Sequence, residues 1–118
     1  MSQRIFDFEP ITLDQIRDYA EASGDHNQIH LNEDFAKAAG LPGIIAHGML
    51  SMGLGSRALS MWGYDLSKLK NYEAKFKEIV RPGDLLRAEE VRQSHGQIDL
   101  RILNQNGIEI LVASAKFT

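Results

Sequence analysis

Apolar positions recur on a helical period in the first half of the chain and on a period of two in the second. Thr12 followed by Gln15 forms a capping box, and Leu13, Ile16, Tyr19 and Ala20 then share one helical face. This helix is predicted to stop at Ser23-Gly24, where glycine permits the left-handed turn. Asn32 can cap a second, short helix over Glu33 to Ala39, ended by Gly40 and then Leu41-Pro42-Gly43. A third helix is predicted from about Ala46 to Trp62. Its Met49, Leu50, Met52, Leu54, Ala58, Leu59 and Met61 spread almost all round the cylinder, as in a helix of the interior.

Strict alternation in Tyr72-Glu73-Ala74-Lys75-Phe76-Lys77 predicts a strand with one face buried. Arg81-Pro82-Gly83-Asp84 is a turn, with Pro presetting one dihedral and Gly supplying a positive one. Leu85 to Val91 is a second strand, and Ser94-His95-Gly96 turns the chain into alternating Ile98-Asp99-Leu100-Arg101-Ile102. Asn106-Gly107 is a strong hairpin signal. The last strand, Ile108 to Phe117, changes phase between Val112 and Ala113, which implies a bulge or burial on both faces. The expected fold class is α+β: a four-stranded antiparallel meander, with a fifth strand from Phe6 to Ile11, covered by the apolar helix. Residues 1–118 are expected to form a single domain, since no repeat or linker interrupts them. A small sheet on one helix leaves edges and helix surface exposed, so a dimer or larger assembly is expected.

The chain has 118 residues, 43% of them hydrophobic, and no cysteine. That suffices for a packed core and excludes disulfides, thiolate metal sites and a cysteine nucleophile. The net charge of −3 asks for no nucleic-acid partner. Residues 1–65 carry nine acids and four bases, and residues 66–118 seven acids and nine bases. This split is read mainly as the solvated faces of strands. The least charged stretch, Leu41 to Ser56, falls short of the roughly 20 apolar residues of a membrane span. With no apolar leader at the N-terminus, a soluble, cytoplasmic protein is expected.

Two places could carry chemistry. Ser23-Gly24-Asp25-His26-Asn27-Gln28-Ile29-His30 joins the first two helices and concentrates carboxylate, imidazole and amide side chains. Ordinary turn chemistry is the alternative reading of such a loop. His26 and His30, four apart, would suit a metal on a helix. Gly24 and the Asx-rich turn make this loop non-helical, so no metal is assigned. The second place is Ala46-His47-Gly48-Met49, where first-turn N–H groups lack internal partners and could bind a developing oxyanion. Gly53 and Gly55 are read as packing residues, and for Gly48 packing and ligand approach are both open.

The pattern Tyr19-x-x-x-Ser23-Gly24-Asp25-x-Asn27-x-Ile29-His30-x5-Ala36 resembles the hydratase signature of the MaoC-like, R-specific enoyl-CoA hydratase and dehydratase family. Ile45-Ala46-His47-Gly48-Met49-Leu50 resembles that family's second hallmark, at the expected distance. With Arg81-Pro82-Gly83-Asp84, the likeness is nearest to the B-type subunits of mycobacterial 3-hydroxyacyl-acyl-carrier-protein dehydratases. It covers the chain from about residue 9 to the end. The family usually has Pro after the motif's Asn, where this chain has Gln28.

The resemblance implies a hot-dog fold, a sheet wrapped around a long helix, usually dimerised into a continuous two-subunit sheet. It implies Asp25 and His30 as the catalytic pair and the Gly48 amide as ligand of the thioester oxygen. Asn27 would support the loop, Ser56 would place a hydroxyl in the site, and His47 would orient the backbone around Gly48. The implied reaction interconverts trans-2-enoyl and (R)-3-hydroxyacyl thioesters by syn addition or loss of water. CoA or phosphopantetheine acts as substrate carrier, and no cofactor is expected. Lys68, Lys70, Lys75, Lys77 and Arg81 could meet CoA phosphates or an acidic carrier protein. Two competing functions are a hot-dog thioesterase and a substrate-binding subunit of a heterodimeric dehydratase. The segment Ala46 to Trp62 has no Asp or Glu, which argues against the thioesterase.

Overall fold

The computed structural model describes residues 4–118, so the expectation about the N-terminus lies partly outside the described residues. Helix α1 (Leu13–Ser23) starts on the expected capping box: the Gln15 N–H donates to Thr12 Oγ1 at 3.0 Å, and the Thr12 N–H to Gln15 Oε1 at 3.4 Å. It ends at Gly24, whose φ of 77° lets its N–H reach Ala20 O. Helix α2 (Glu33–Ala38) is capped by Asn32, whose Oδ1 accepts from the Phe35 N–H at 2.9 Å.

Helix α3 (Gly48–Met61) begins two residues later than the periodicity predicts and ends one residue earlier. The Ala46 N–H donates to Val80 O at 2.8 Å, which ties Ala46 into extended pairing, and His47 keeps an extended backbone. Ser51, Leu54, Gly55, Ala58 and Leu59 are buried, whereas Met49 and Met61 are 58% and 60% exposed. The expectation of a helix buried all round is therefore corrected: within this chain only one face is covered. The sheet packs on that face through its central strands.

Strands β1 (Ile5–Asp7), β2 (Leu69–Phe76), β3 (Arg87–Ser94), β4 (Gln97–Leu103) and β5 (Glu109–Phe117) form one antiparallel sheet in the order β1-β3-β4-β5-β2. Only β3, β4 and β5 follow each other as a meander. The expected continuous meander fails because β2 pairs with β5, at the far edge from β3. The first strand is shorter than expected, since the Phe8 N–H already bonds Leu86 O off the ladder and Pro10 has no N–H to give. β3 starts later than Leu85 because that residue's N–H is taken by Gln105 Oε1. It runs on to Ser94 because His95 (φ 52°) and Gly96 (φ 79°) make a tight two-residue turn.

The phase change in β5 is a bulge, placed earlier than the sequence pattern suggests. Ile102 faces Leu111 while Leu103 faces Glu109, leaving Ile110 as the extra residue, and both Ile110 and Leu111 are buried. The core formed by Ile11, Ile16, Leu59, Leu86, Ile98, Leu100, Ile102, Ile110 and Leu111 lies between the helices and the sheet. Gly55 packs as expected: a Cβ there would collide with Tyr72 Oη, whose hydroxyl donates to Met52 O at 2.7 Å. Gly53 does not, since a Cβ would meet no atom within 4 Å. No helix among the described residues is long and apolar enough to cross a membrane.

Candidate active site

The left-handed Gly24 turns the chain off α1 and presents Asp25 at the start of a loop closed by its own side chains. The Asp25 N–H donates to Ser23 Oγ at 3.2 Å, and Asp25 Oδ1 accepts from the Asn27 N–H at 3.2 Å, an Asx turn. Asn27 Oδ1 accepts from the Ile29 N–H at 3.2 Å and so caps the 3₁₀ turn Gln28–His30. The loop thus curls within six residues, and it delivers His30 back toward Asp25. His30 Nε2 lies 4.0 Å from Asp25 Oδ2. That is too long for a direct hydrogen bond and suited to sharing a water.

A carbonyl sets the tautomer of His30. Its Nδ1 lies 2.8 Å from Ile45 O, and a carbonyl can only accept, so Nδ1 carries a proton, and in the neutral ring the lone pair sits on Nε2, the nitrogen turned toward Asp25. The ring is almost wholly buried, at 7% exposure, whereas the Asp25 side chain is 54% exposed. His47, 2% exposed, donates from Nε2 to Asp25 O at 3.1 Å. Its ring stacks on that of His30, with centroids 3.7 Å apart and planes at 22°, and Tyr19 closes its other side at 4.9 Å. His47 therefore braces both members of the pair, one through the backbone and one through its ring. Its Nδ1 has no hydrogen-bond partner among the described residues.

One donor atom each from Asp25, His30 and His47 lie within 4.8 Å of one another, the spacing of a loose metal cluster. The stacked rings oppose that use. An imidazole lone pair lies in the plane of its ring, and one ion cannot lie in two near-parallel planes separated by a stacking distance.

Gly48 is the first residue of α3, and His47 offers no side-chain cap, so the Leu50 N–H turns back to His47 O at 3.1 Å while the N–H groups of Gly48 and Met49 have no acceptor within the helix. A cleft of about 350 Å³ lies beside it, lined by Ile45, Gly48, Ser51, Phe76, Ile79 and Val80 among others. The Phe76 ring edge stands 3.3 Å from where a Cβ on Gly48 would be, so the missing side chain keeps this end of the cleft open. Asp25 and His30 do not line it. They are joined to it through Ile45, which lines the cleft and holds the His30 ring.

The remaining sequence-level candidates fall elsewhere. Ser56 turns its hydroxyl back to Gly53 O at 2.6 Å on its own helix and makes no contact with the pair. His26 pairs with Glu21 on the surface, and His95 sits in the exposed β3–β4 turn. Lys77 is paired with Glu109 at 3.1 Å. Arg81 points at Glu33 and Ile44 O, so it is not a free cation for a phosphate, contrary to the expectation for it. Sequence reasoning missed Ser51, Glu33 and the reach of Arg81. Ser51, three residues past Gly48 on α3, could have been found from helical spacing. The other two depend on contacts between distant segments.

The profile of a family described as MaoC like domain matches residues 3–112. Among curated relatives, 3-hydroxyacyl-thioester dehydratase X of Mycobacterium tuberculosis is 41% identical over 71 residues, covering 60% of this chain and 21% of that protein. Fatty acid synthase subunit beta of Saccharomyces cerevisiae is 32% identical over 104 residues, covering 83% of this chain and 5% of that one. The chain thus spans about one twentieth of the yeast subunit and a fifth of the mycobacterial dehydratase. The solved (R)-hydratase of A. caviae, described as involved in PHA biosynthesis, superposes with a TM-score of 0.77 at 25% identity, over 99% of this chain and 95% of that one. A MaoC-like dehydratase from Phytophthora capsici reaches 0.86 at 26% identity, over 97% and 39%. The α+β class expected from the sequence, an antiparallel sheet against a long helix, is the hot-dog fold of these hydratases.

Proposed function

Because the chain belongs to the MaoC-like hydratase and dehydratase family, we propose that it interconverts trans-2-enoyl and (R)-3-hydroxyacyl thioesters by adding or removing water. The observation that carries this reading is the Asp25–His30 pair, held 4.0 Å apart with the free His30 Nε2 turned toward the carboxylate. In the hydration direction Asp25 and His30 hold one water between them. His30 Nε2 takes its proton as general base while the oxygen attacks C3. A proton is then delivered to C2 on the same side, with Asp25 assisting, which gives the (R) product by syn addition. Negative charge grows on the thioester oxygen meanwhile, and the free N–H of Gly48 at the start of α3 receives it. Asn27 keeps the loop curled and His47 braces it. Ser56 would place a hydroxyl beside the site only by leaving Gly53 O, to which it donates in this structure.

The reaction forms one C–O and one C–H bond from water with no change of redox partner, and the proton transfers and hydrogen bonds it needs come from the chain's own residues, so no cofactor is invoked. The substrate is an acyl chain on CoA or on the phosphopantetheine of a carrier protein. Residues 1–118 are taken as one domain, working in the cytoplasm and paired with a second hot-dog chain, identical or homologous. The exposed edge of β2 and the uncovered face of α3 support that pairing.

Positioned acid–base groups contribute on the order of 10²–10⁴-fold. Asp25→Asn and His30→Ala are therefore each expected to lower kcat on crotonyl-CoA at least a hundredfold while the circular dichroism spectrum stays unchanged. The loss of enoyl-thioester absorbance measures it. Wild-type rates in both variants would refute the mechanism. Release of free thiol by the unaltered protein would point to a thioesterase instead.

A further inference from the structure

The backbone segment that holds the His30 ring is itself held by an ion pair between residues far apart in the chain. Arg81 opens a turn closed on all sides. Its N–H donates to Asp84 Oδ2 at 2.8 Å, the Asp84 N–H returns to Arg81 O at 3.1 Å, and the Ile11 N–H bonds Asp84 O at 3.0 Å. From that fixed base the guanidinium donates through Nη1 to Ile44 O and lies 3.7 Å from Glu33 Oε1. The same Glu33 Oε1 accepts from the Ile44 N–H at 3.0 Å. Both polar backbone groups of the buried Ile44 are thus held by one pair of opposite charges, drawn from the first turn of α2 and from the turn before β3.

The clamp is fitted to a glycine. Gly43 has a φ of 154°, and a Cβ on it would collide with Glu33 Oε1 and Arg81 Nη1. Only a residue without a side chain lets the pair close over the backbone here.

The next peptide is the one that matters to His30. The peptide joining Ile44 and Ile45 has its oxygen on Arg81 and its N–H on Ile29 O, at 3.2 Å. The following peptide gives its oxygen, Ile45 O, to His30 Nδ1 and its N–H, from Ala46, to Val80 O. The orientation of the carbonyl that sets the His30 tautomer is inherited from a backbone clamped one peptide earlier.

We propose that Arg81 and Glu33 are positioning residues, which act through the Ile44–Ala46 backbone to hold the His30 imidazole with Nε2 facing Asp25. This rests on the reading of His30 as general base. Without the clamp the Ile44 N–H and C=O lose their partners inside the protein, the segment relaxes, and Ile45 O moves relative to the ring. A displacement of about 1 Å at a catalytic group can cost on the order of a hundredfold in rate.

The experiment compares Arg81→Ala, Arg81→Lys, Glu33→Ala and Glu33→Gln by two readouts. Lys keeps a donor for Ile44 O, and Gln keeps an acceptor for the Ile44 N–H. The first readout is steady-state hydration of crotonyl-CoA. Both alanine variants are expected to lose about 10- to 100-fold in kcat with KM within twofold, and the Lys and Gln variants to recover most of it. A KM effect with kcat preserved would overturn the proposal, by making Arg81 a substrate-phosphate ligand. The second readout is the long-range ¹H–¹⁵N spectrum of the His30 ring in the resting protein. It is expected to show the Nδ1–H form in the wild type and a mixed or exchanging ring in the alanine variants. An unchanged ring in all four variants overturns the clamp. This arm holds even if the chain proves not to hydrate enoyl thioesters, so failure of the clamp and failure of the proposed function are separable. If an alanine variant does not fold, Arg81→Met or Glu33→Met takes its place, which fills the space but offers Ile44 no polar partner, with the same loss and the same altered ring expected. Wild-type kcat with an altered ring in Arg81→Lys, or the converse, would also refute the link between them.

Discussion

Gln28 sits at the first position of the 3₁₀ turn, after an Asn27 with φ −56° and ψ 131°. The N–H at such a position has no acceptor within the turn, and the residue before it already has the extended backbone that a proline demands of its predecessor. The chain therefore curls its loop without the family's usual proline, using the Asp25 and Asn27 side chains instead. Gln28→Pro is expected to raise stability by about 0.4–1 kcal/mol by narrowing the unfolded ensemble. The check is a higher urea midpoint at unchanged slope. A lowered midpoint would mean that the Gln28 N–H or its φ matters in a way this geometry does not require. At this scale the candidate site was well signalled: Asp25, Asn27 and His30 lie within six residues, and short-range turn chemistry brings them together. The bracing by His47 was only half visible. Its place at the head of α3 could be read, but its bond to Asp25 O spans 22 residues of chain.

Between elements, Tyr72 joins β2 to α3. Its hydroxyl donates to Met52 O and occupies the space that Gly55 leaves open. Burial pushes its pKa from an ordinary 10.0 up to about 12. Tyr64 is also raised to about 12, by burial and then by donating its hydrogen bond to Glu90. A phenol with a folded pKa above its unfolded one keeps its proton longer in the folded state. Its contribution to stability is complete below pH 10 and is lost as pH rises from about 10 through 12. Tyr72→Phe is expected to cost about 1 kcal/mol at neutral pH through the lost hydrogen bond. It should also make the alkaline decline shallower, while Tyr64 keeps part of it. Denaturant titrations at pH 7, 10 and 11.5 measure both effects. An alkaline limb as steep as in the wild type would remove Tyr72 as its cause. The elements themselves were legible: caps, turn glycines, the Asn-Gly hairpin and two-residue alternation located each α-helix and strand of the described residues to within about four residues, and missed the 3₁₀ turns Gln28–His30 and Leu66–Lys68. The boundary errors at α3 and β3 came from backbone bonds to distant partners, Val80 O and Gln105 Oε1.

For the molecule as a whole, the two edges of the sheet are unequal. β1 offers three residues, and β2 offers eight, with Tyr72, Ala74 and Phe76 at alternate positions. A long, partly apolar edge invites another strand, and Met49, Met61 and Phe76 are exposed apolar side chains in the same chain. Light scattering at micromolar concentration is expected to return about twice the 13.2 kDa of the chain. A single-chain mass across that range would refute pairing with an identical chain and leave pairing with a homologous one.

Local physics could be read directly from residue order. Helix capping, the left-handed tolerance of glycine and the alternation of a half-buried strand each act over four residues or fewer. They fixed the α+β class and the Asp25–His30 loop. Tertiary structure decided the placement of β2 beside β5, the exposure of Met49 and Met61, and the retreat of Ser56 onto its own helix. It also turned Arg81 inward to Glu33 and Ile44. Each of these is a contact between segments far apart in the chain, where the partner is chosen by how the layers pack and by which buried backbone groups still need a hydrogen bond.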